Sequence, residues 1–173
     1  MTTPRAPPAG FEQPFEVLDA CHERIQRMLR RLQWLRIHLA AMGCDDQARQ
    51  AARDVMRYFD LAAPAHHDDE ECHVFPPLLA AGLCVETVYR LQREHLEMAV
   101  LWPQVREVLQ RVDTDDGPGF APDDEGLLEH FARLYDWHIA AESELVFPAA
   151  ARCLDAAALV AMGEEMARRR DLP

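Results

Sequence analysis

The sequence predicts an all-α chain, an antiparallel up-down four-helix bundle with a short extra C-terminal helix. Three observations predict it. Apolar residues recur at three and four positions through four long stretches, no stretch alternates apolar and polar residues between turns, and short polar or Gly/Pro-containing breaks separate the stretches. At 173 residues the chain has the size of one domain with a sizeable core.

"MTTPRAPPAG" opens a flexible arm over residues 1–13, and Pro14 suits a first helical turn. From there the stripe Phe15, Leu18, His22, Ile25, Leu29, Leu32 leads toward Met42, and Gly43 ends the helix. Asp45 or Asp46 caps the second helix, which carries Val55, Phe59, Ala62, His66 and Glu70 on one face, kinks at Pro64 and closes near residue 82. The third spans residues 85–111 with a kink at Pro103, and its stripe is Val88, Leu91, His95, Met98, Trp102, Val105, Leu109. "DTDDGPGFAPDDEG" is the clearest loop. The fourth helix, residues 124–147, lines up Leu127, Phe131, Leu134, His138, Glu142 and Leu145, and "CLDAAALVAMGEEMARR" supplies the short fifth. The expected organisation is therefore an arm over 1–13, a four-helix bundle over 14–150 and a C-terminal helix over 151–173 that packs on it.

A formal charge of −12 argues against nucleic acid and gives no attraction to an anionic membrane. Every basic residue except histidine is arginine, which excludes Schiff-base and phosphate-loop lysines. The five cysteines are odd in number, widely spaced and free of any Cys-x-x-Cys pair, so neither a disulfide framework nor a thiolate zinc site is expected. With no apolar signal core and no run of about 18 apolar residues, the chain reads as cytoplasmic.

Each of the four stripes is interrupted by a histidine, and two of them add a glutamate. Burying four imidazoles and two carboxylates at one level without compensation costs several kcal/mol per ion, comparable with the stability of a whole domain. A bound cation removes that cost. "HHDDEECHVFP" and "HIAAESELVFP" superimpose, pairing His66 with His138, Glu70 with Glu142, Phe75 with Phe147 and Pro76 with Pro148. The repeat selects His66 over His67, because only His66 keeps both the stripe and the distance to Phe-Pro. A histidine and a glutamate four residues apart share a helix face about 6 Å apart along the axis, so both reach one cluster. With Glu70 and Glu142 bridging, two metals receive two histidines apiece and keep open positions. Imidazole with carboxylate suits iron, manganese or zinc, and two adjacent metals with open positions favour iron.

Read together, His22, "HHDDE" (His66, Glu70), His95 and "HIAAE" (His138, Glu142) resemble the hemerythrin-like, or HHE cation-binding, family, over roughly residues 14–148. The resemblance implies a four-helix bundle around a non-haem di-iron centre with these six residues as metal ligands. Oxygen-carrying hemerythrins use a fifth histidine one turn after the third-helix one, where this chain has Ala99, and an Asp five residues after the last histidine, where it has Glu142 at four. The ligand set looks more like that of bacterial iron-sulfur cluster repair proteins.

The expected function is a di-iron protein that binds O2, NO or peroxide for sensing, storage or protection from oxidative and nitrosative stress. Its alternatives are a structural or interaction module held together by zinc or another redox-inert cation, and an iron donor akin to the repair proteins. A di-iron enzyme would need an apolar pocket beside the cluster, of which the sequence gives no sign. His67 and Glu71 are expected to support ligands or face water, and His73, seven residues after His66, is a minor candidate for the missing histidine. Cys21 and Cys72 read as small buried hydrophobes, His38 as exposed, and Met98 and Trp102 as core residues that limit access to the cluster.

Overall fold

Local chemistry places the helix ends. In the computed structural model, which describes residues 10–114 and 120–170, Pro14 opens α1 (Pro14–Met42), and Gly43 ends it at φ 77°, a left-handed conformation that only glycine adopts without strain. Asp45 settles the choice of second cap: its carboxylate accepts from the Ala48 N–H, 2.9 Å away, at the start of α2 (Asp46–Asp69). Gly82, at φ 67°, turns the chain between α3 (Phe75–Ala80) and α4 (Val85–Thr114). The Asp124 side chain accepts from Ala121 N–H at the start of α5 (Pro122–Ala141), two residues earlier than expected. Residues 115–119 of the expected loop, 1–9 of the expected arm and 171–173 lie outside the described residues.

Both α2 and α4 run through their internal prolines, Pro64 and Pro103. The helix type changes elsewhere. After α2 comes a π-helical turn, Glu70–Val74, leading into α3; after α5 comes another, Glu142–Val146, leading into α6 (Phe147–Cys153). Each closes with a bond from the phenylalanine N–H to the glutamate carbonyl five residues back, Phe75 to Glu70 and Phe147 to Glu142. At both places the wider turn accommodates the proline that follows. A proline ring collides with the carbonyl four residues earlier, here Cys72 or Glu144, and offers no N–H to it. The extra residue corrects one expectation: Leu145 is 55% exposed, whereas Val146 and Phe147 turn inward in its place.

Helix α1 packs on α2, α2 on α4, α4 on α5, and α5 back on α1. The polar layer divides the core in two. On one side Leu32, Leu35, Phe59, Val105, Leu109 and Phe131 form part of a large apolar cluster; on the other, Leu18, Val74, Phe75, Leu91, Val146 and Phe147 belong to a second. The expected fifth helix is α7 (Ala156–Arg169), which starts three residues later than expected because Asp155 caps it at Ala158 N–H. Met162 and Met166 of α7 close the second cluster, and at Gly163 a Cβ would collide with the Phe11 carbonyl, so glycine permits the close approach of residues 10–13. The described residues are all helix, turn or coil, with no strand, and none of their helices is long and apolar enough to cross a membrane.

Candidate metal centre

All six residues singled out by the stripes converge between the two apolar clusters, and each is at most 7% exposed. His22 Nε2 lies 3.1 Å from Glu142 Oε2 and 3.9 Å from Glu70 Oε1; His66 Nε2 lies 3.3 Å from Glu70 Oε1. Across the cluster, His138 Nε2 is 3.1 Å from Glu142 Oε1, and His95 Nε2 is 3.4 Å from Glu70 Oε2 and 3.8 Å from Glu142 Oε1. Two donor sets result, His22–His66–Glu70–Glu142 and His95–His138–Glu70–Glu142, each with its donor atoms within 4.8 Å of one another. Both glutamates belong to both sets.

Several of the donors are unsatisfied by protein. Both ring nitrogens of His66, both carboxylate oxygens of Glu70 and Oε1 of Glu142 are buried without a hydrogen-bond partner. Each is costly as it stands, and cations in the two sets would take one nitrogen of His66 and the free carboxylate oxygens of Glu70 and Glu142, so the residues fit a bound metal. Protons carry the compensation otherwise. Burial pushes the Glu70 carboxyl up to about 7, and the Glu142 charge adds to this. Burial also acts to raise Glu142, but His138 and His22 beside it prevail and hold it well below the usual range. His138 is lowered by burial yet pushed up to about 10 by Glu142 and Glu94. Burial drives His66 far down.

The far sides of three imidazoles are fixed from outside. His95 Nδ1–H donates to Glu71 Oε1 at 2.9 Å, and Gln92 steadies that carboxylate from its other oxygen. His138 Nδ1–H donates to Glu94 Oε2 at 3.1 Å, with Arg90 on the other oxygen and its guanidinium 3.4 Å above the Trp137 ring. His22 Nδ1 meets Ser143 Oγ at 3.0 Å. A carboxylate can only accept, so Nδ1 of His95 and His138 carries a proton, and Nε2 is the nitrogen turned to the interior, where a bound metal would displace any second proton and take its lone pair.

The repeat turns out to interlock. Glu71 and Ser143 occupy matching positions, one after each glutamate, and each holds the lone histidine of another helix. The two phenylalanines do the same by stacking: Phe75 on His95 (5.6 Å between centroids, 21°) and Phe147 on His22 (5.1 Å, 14°). Each copy therefore positions the imidazole that joins the other copy's histidine.

Over residues 13–150 the sequence matches the family model of the hemerythrin HHE cation-binding domain. The chain belongs to this family. A relative from Haemophilus influenzae, named "Uncharacterized protein", is 32% identical over 165 residues, covering 95% of this chain and 94% of that one. Membership in the HHE family and the buried His/Glu cluster together make this a metal-binding, hemerythrin-like protein.

Other expectations change within this HHE domain. His73 does not face the cluster, because the π-helical turn rotates it toward α7, where Nε2 lies 3.2 Å from Glu165 Oε2. Cys21 is buried, but Cys72 is exposed. His38 is not free in solvent: it bonds the capping Asp45 at 3.0 Å and stacks on Trp34. Asp69 is fully buried rather than solvated, paired with Arg169 and, at 2.7 Å, with Arg170 of the C-terminal segment. Glu94 and Ser143 were not legible as site residues, although Ser143 occupies the repeat position of Glu71. His67 supports no ligand through a hydrogen bond; it stacks on His95 and borders a cavity.

Proposed function

We propose that His22, His66, Glu70, His95, His138 and Glu142 hold two iron ions and that the protein binds O2, NO or peroxide beside them, for sensing, storage or protection from oxidative and nitrosative stress. The observation that carries this reading is the sorting of six buried donors into two four-donor sets that share both glutamates. Four protein donors leave positions open on an octahedral ion, and the mixed imidazole and carboxylate set suits iron. Bound iron supplies those open positions and one-electron redox chemistry.

The chain does the rest. Glu71, Glu94 and Ser143 fix the ring orientation of His95, His138 and His22, and Phe75 and Phe147 press two of those rings from the face. Apolar clusters on both sides keep bulk water from the centre. In the same reading the long helices form an antiparallel up-down bundle, α7 of the C-terminal segment packs on it, and the protein works in the cytoplasm.

Protein loaded with ferrous iron under nitrogen is expected to retain two ions per chain and to change its visible absorption on exposure to oxygen or nitric oxide. Less than one metal per chain, or full occupancy by zinc with no spectral response, would overturn the proposal and favour a redox-inert structural cation.

A further inference from the structure

Beside the metal centre, against α2, α4 and α5, lies a cavity of about 590 Å³. Phe59, Met98, Phe131 and Tyr135, all almost fully buried, form its floor, and Trp102 and Ala99 lie at its rim. A diatomic gas is on the scale of a water molecule, whose share of liquid volume is about 30 Å³, so the space is worth roughly twenty of them. Its size is that of pockets which take organic ligands.

His67 stands where the cavity meets the cluster. Its Nε2 is buried and has no hydrogen-bond partner. One nitrogen of His67 lies within 4.8 Å of nitrogens of His95 and His138, yet a shared ion does not account for it. The His67 and His95 rings are stacked, with centroids 4.1 Å apart at 18°. Lone pairs of ring nitrogens lie in the ring plane, so two stacked rings direct them side by side and not to one point. His95 already has Nδ1 on Glu71 and Nε2 in the Glu70–His138–Glu142 set. That leaves a nitrogen with no partner inside the protein, on a residue that lines the cavity.

Charge narrows that occupant. An anion would meet the carboxylates of Asp68 and Glu71 in the wall, and a cation would meet the metal centre. Aromatic walls favour a planar ring. We propose that this cavity binds a small neutral aromatic molecule with one polar group, of which a phenol is the simplest case, its ring among Phe59, Trp102 and Tyr135 and its hydroxyl donating to His67 Nε2.

The inference goes beyond the binding of small gases and holds for a zinc-filled centre as for an iron-filled one, so either reading can fail alone. The test uses zinc-loaded protein titrated calorimetrically with p-cresol and with toluene, which differ by the hydroxyl. Saturable one-to-one binding of p-cresol is expected, tighter than toluene by roughly three- to tenfold, the worth of one hydrogen bond. In His67→Leu that preference should vanish while toluene affinity and zinc content hold. Ala99→Phe, at an exposed rim position, should weaken both ligands by about tenfold or more through steric filling. No saturable binding, an undiminished preference in His67→Leu, or an unchanged affinity in Ala99→Phe would overturn the proposal. Loss of zinc from His67→Leu would overturn it too, by making that imidazole a metal ligand.

Discussion

Residues 66–76 and 138–148 build the same turn from the same parts: a histidine, a glutamate that starts a π-helical turn, and a Phe-Pro pair after it. Their neighbours differ. Where the first copy has His67 against a cavity, the second has Ile139 in the apolar core. Buried Asp69, tied to Arg169 and Arg170, corresponds to buried Ala141. The carboxylate of Glu71 corresponds to the hydroxyl of Ser143. Side chains that point at the centre are the same in both copies, and the positions between them have specialised, the first copy toward a cavity and α7, the second toward plain packing.

Three sets of substitutions break or sharpen this comparison. The largest effect is expected where the copies are alike. Glu70→Ala and Glu142→Ala should each lower metal content from two ions to less than one per chain, because each glutamate belongs to both donor sets. Elemental analysis checks this, and clean loss of a single ion would show that the carboxylates are not shared.

A smaller effect is expected in stability, and only in the first copy. Replacing Arg169 and Arg170 together by Ala strands a buried carboxylate, which costs about 3 kcal/mol. Adding Asp69→Ala should restore most of the loss, since alanine packs at the matching position 141. Denaturant unfolding of the two variants measures both steps. A triple variant no more stable than the double would mean that α7 acts through its own packing, not through Asp69.

The smallest effect separates carboxylate from hydroxyl. Glu71→Ala should weaken metal affinity by roughly 10–100-fold, with two ions still bound at saturation, and Ser143→Ala should weaken it less. Chelator competition gives both values, and equal losses would remove the distinction between the copies.

The convergence of the four histidines and two glutamates was legible because it rests on periodicity and repetition, both properties of the linear chain. Four histidines interrupt four apolar stripes at one level, and the echo of residues 66–76 in 138–148 picked His66 over His67. The π-helical turns were not legible. Phe-Pro marked their place, but a three-and-four stripe carried past Glu142 points Leu145 inward, and only the wider turn brings Val146 and Phe147 there instead. Asp69 looked like one more solvated charge because its arginines lie a hundred residues away.

By itself, then, the sequence determined an all-helical chain and a buried set of four histidines and two glutamates, since helix period and residue chemistry are local. Tertiary structure decided which histidines pair across the cluster, which side chains hold them from behind, and that "AHHDDEECHVFPPLL" also borders a cavity. These depend on the rotation and spacing of whole helices, and side chains brought together from α2, α4 and α5 leave a hollow that no one segment contains.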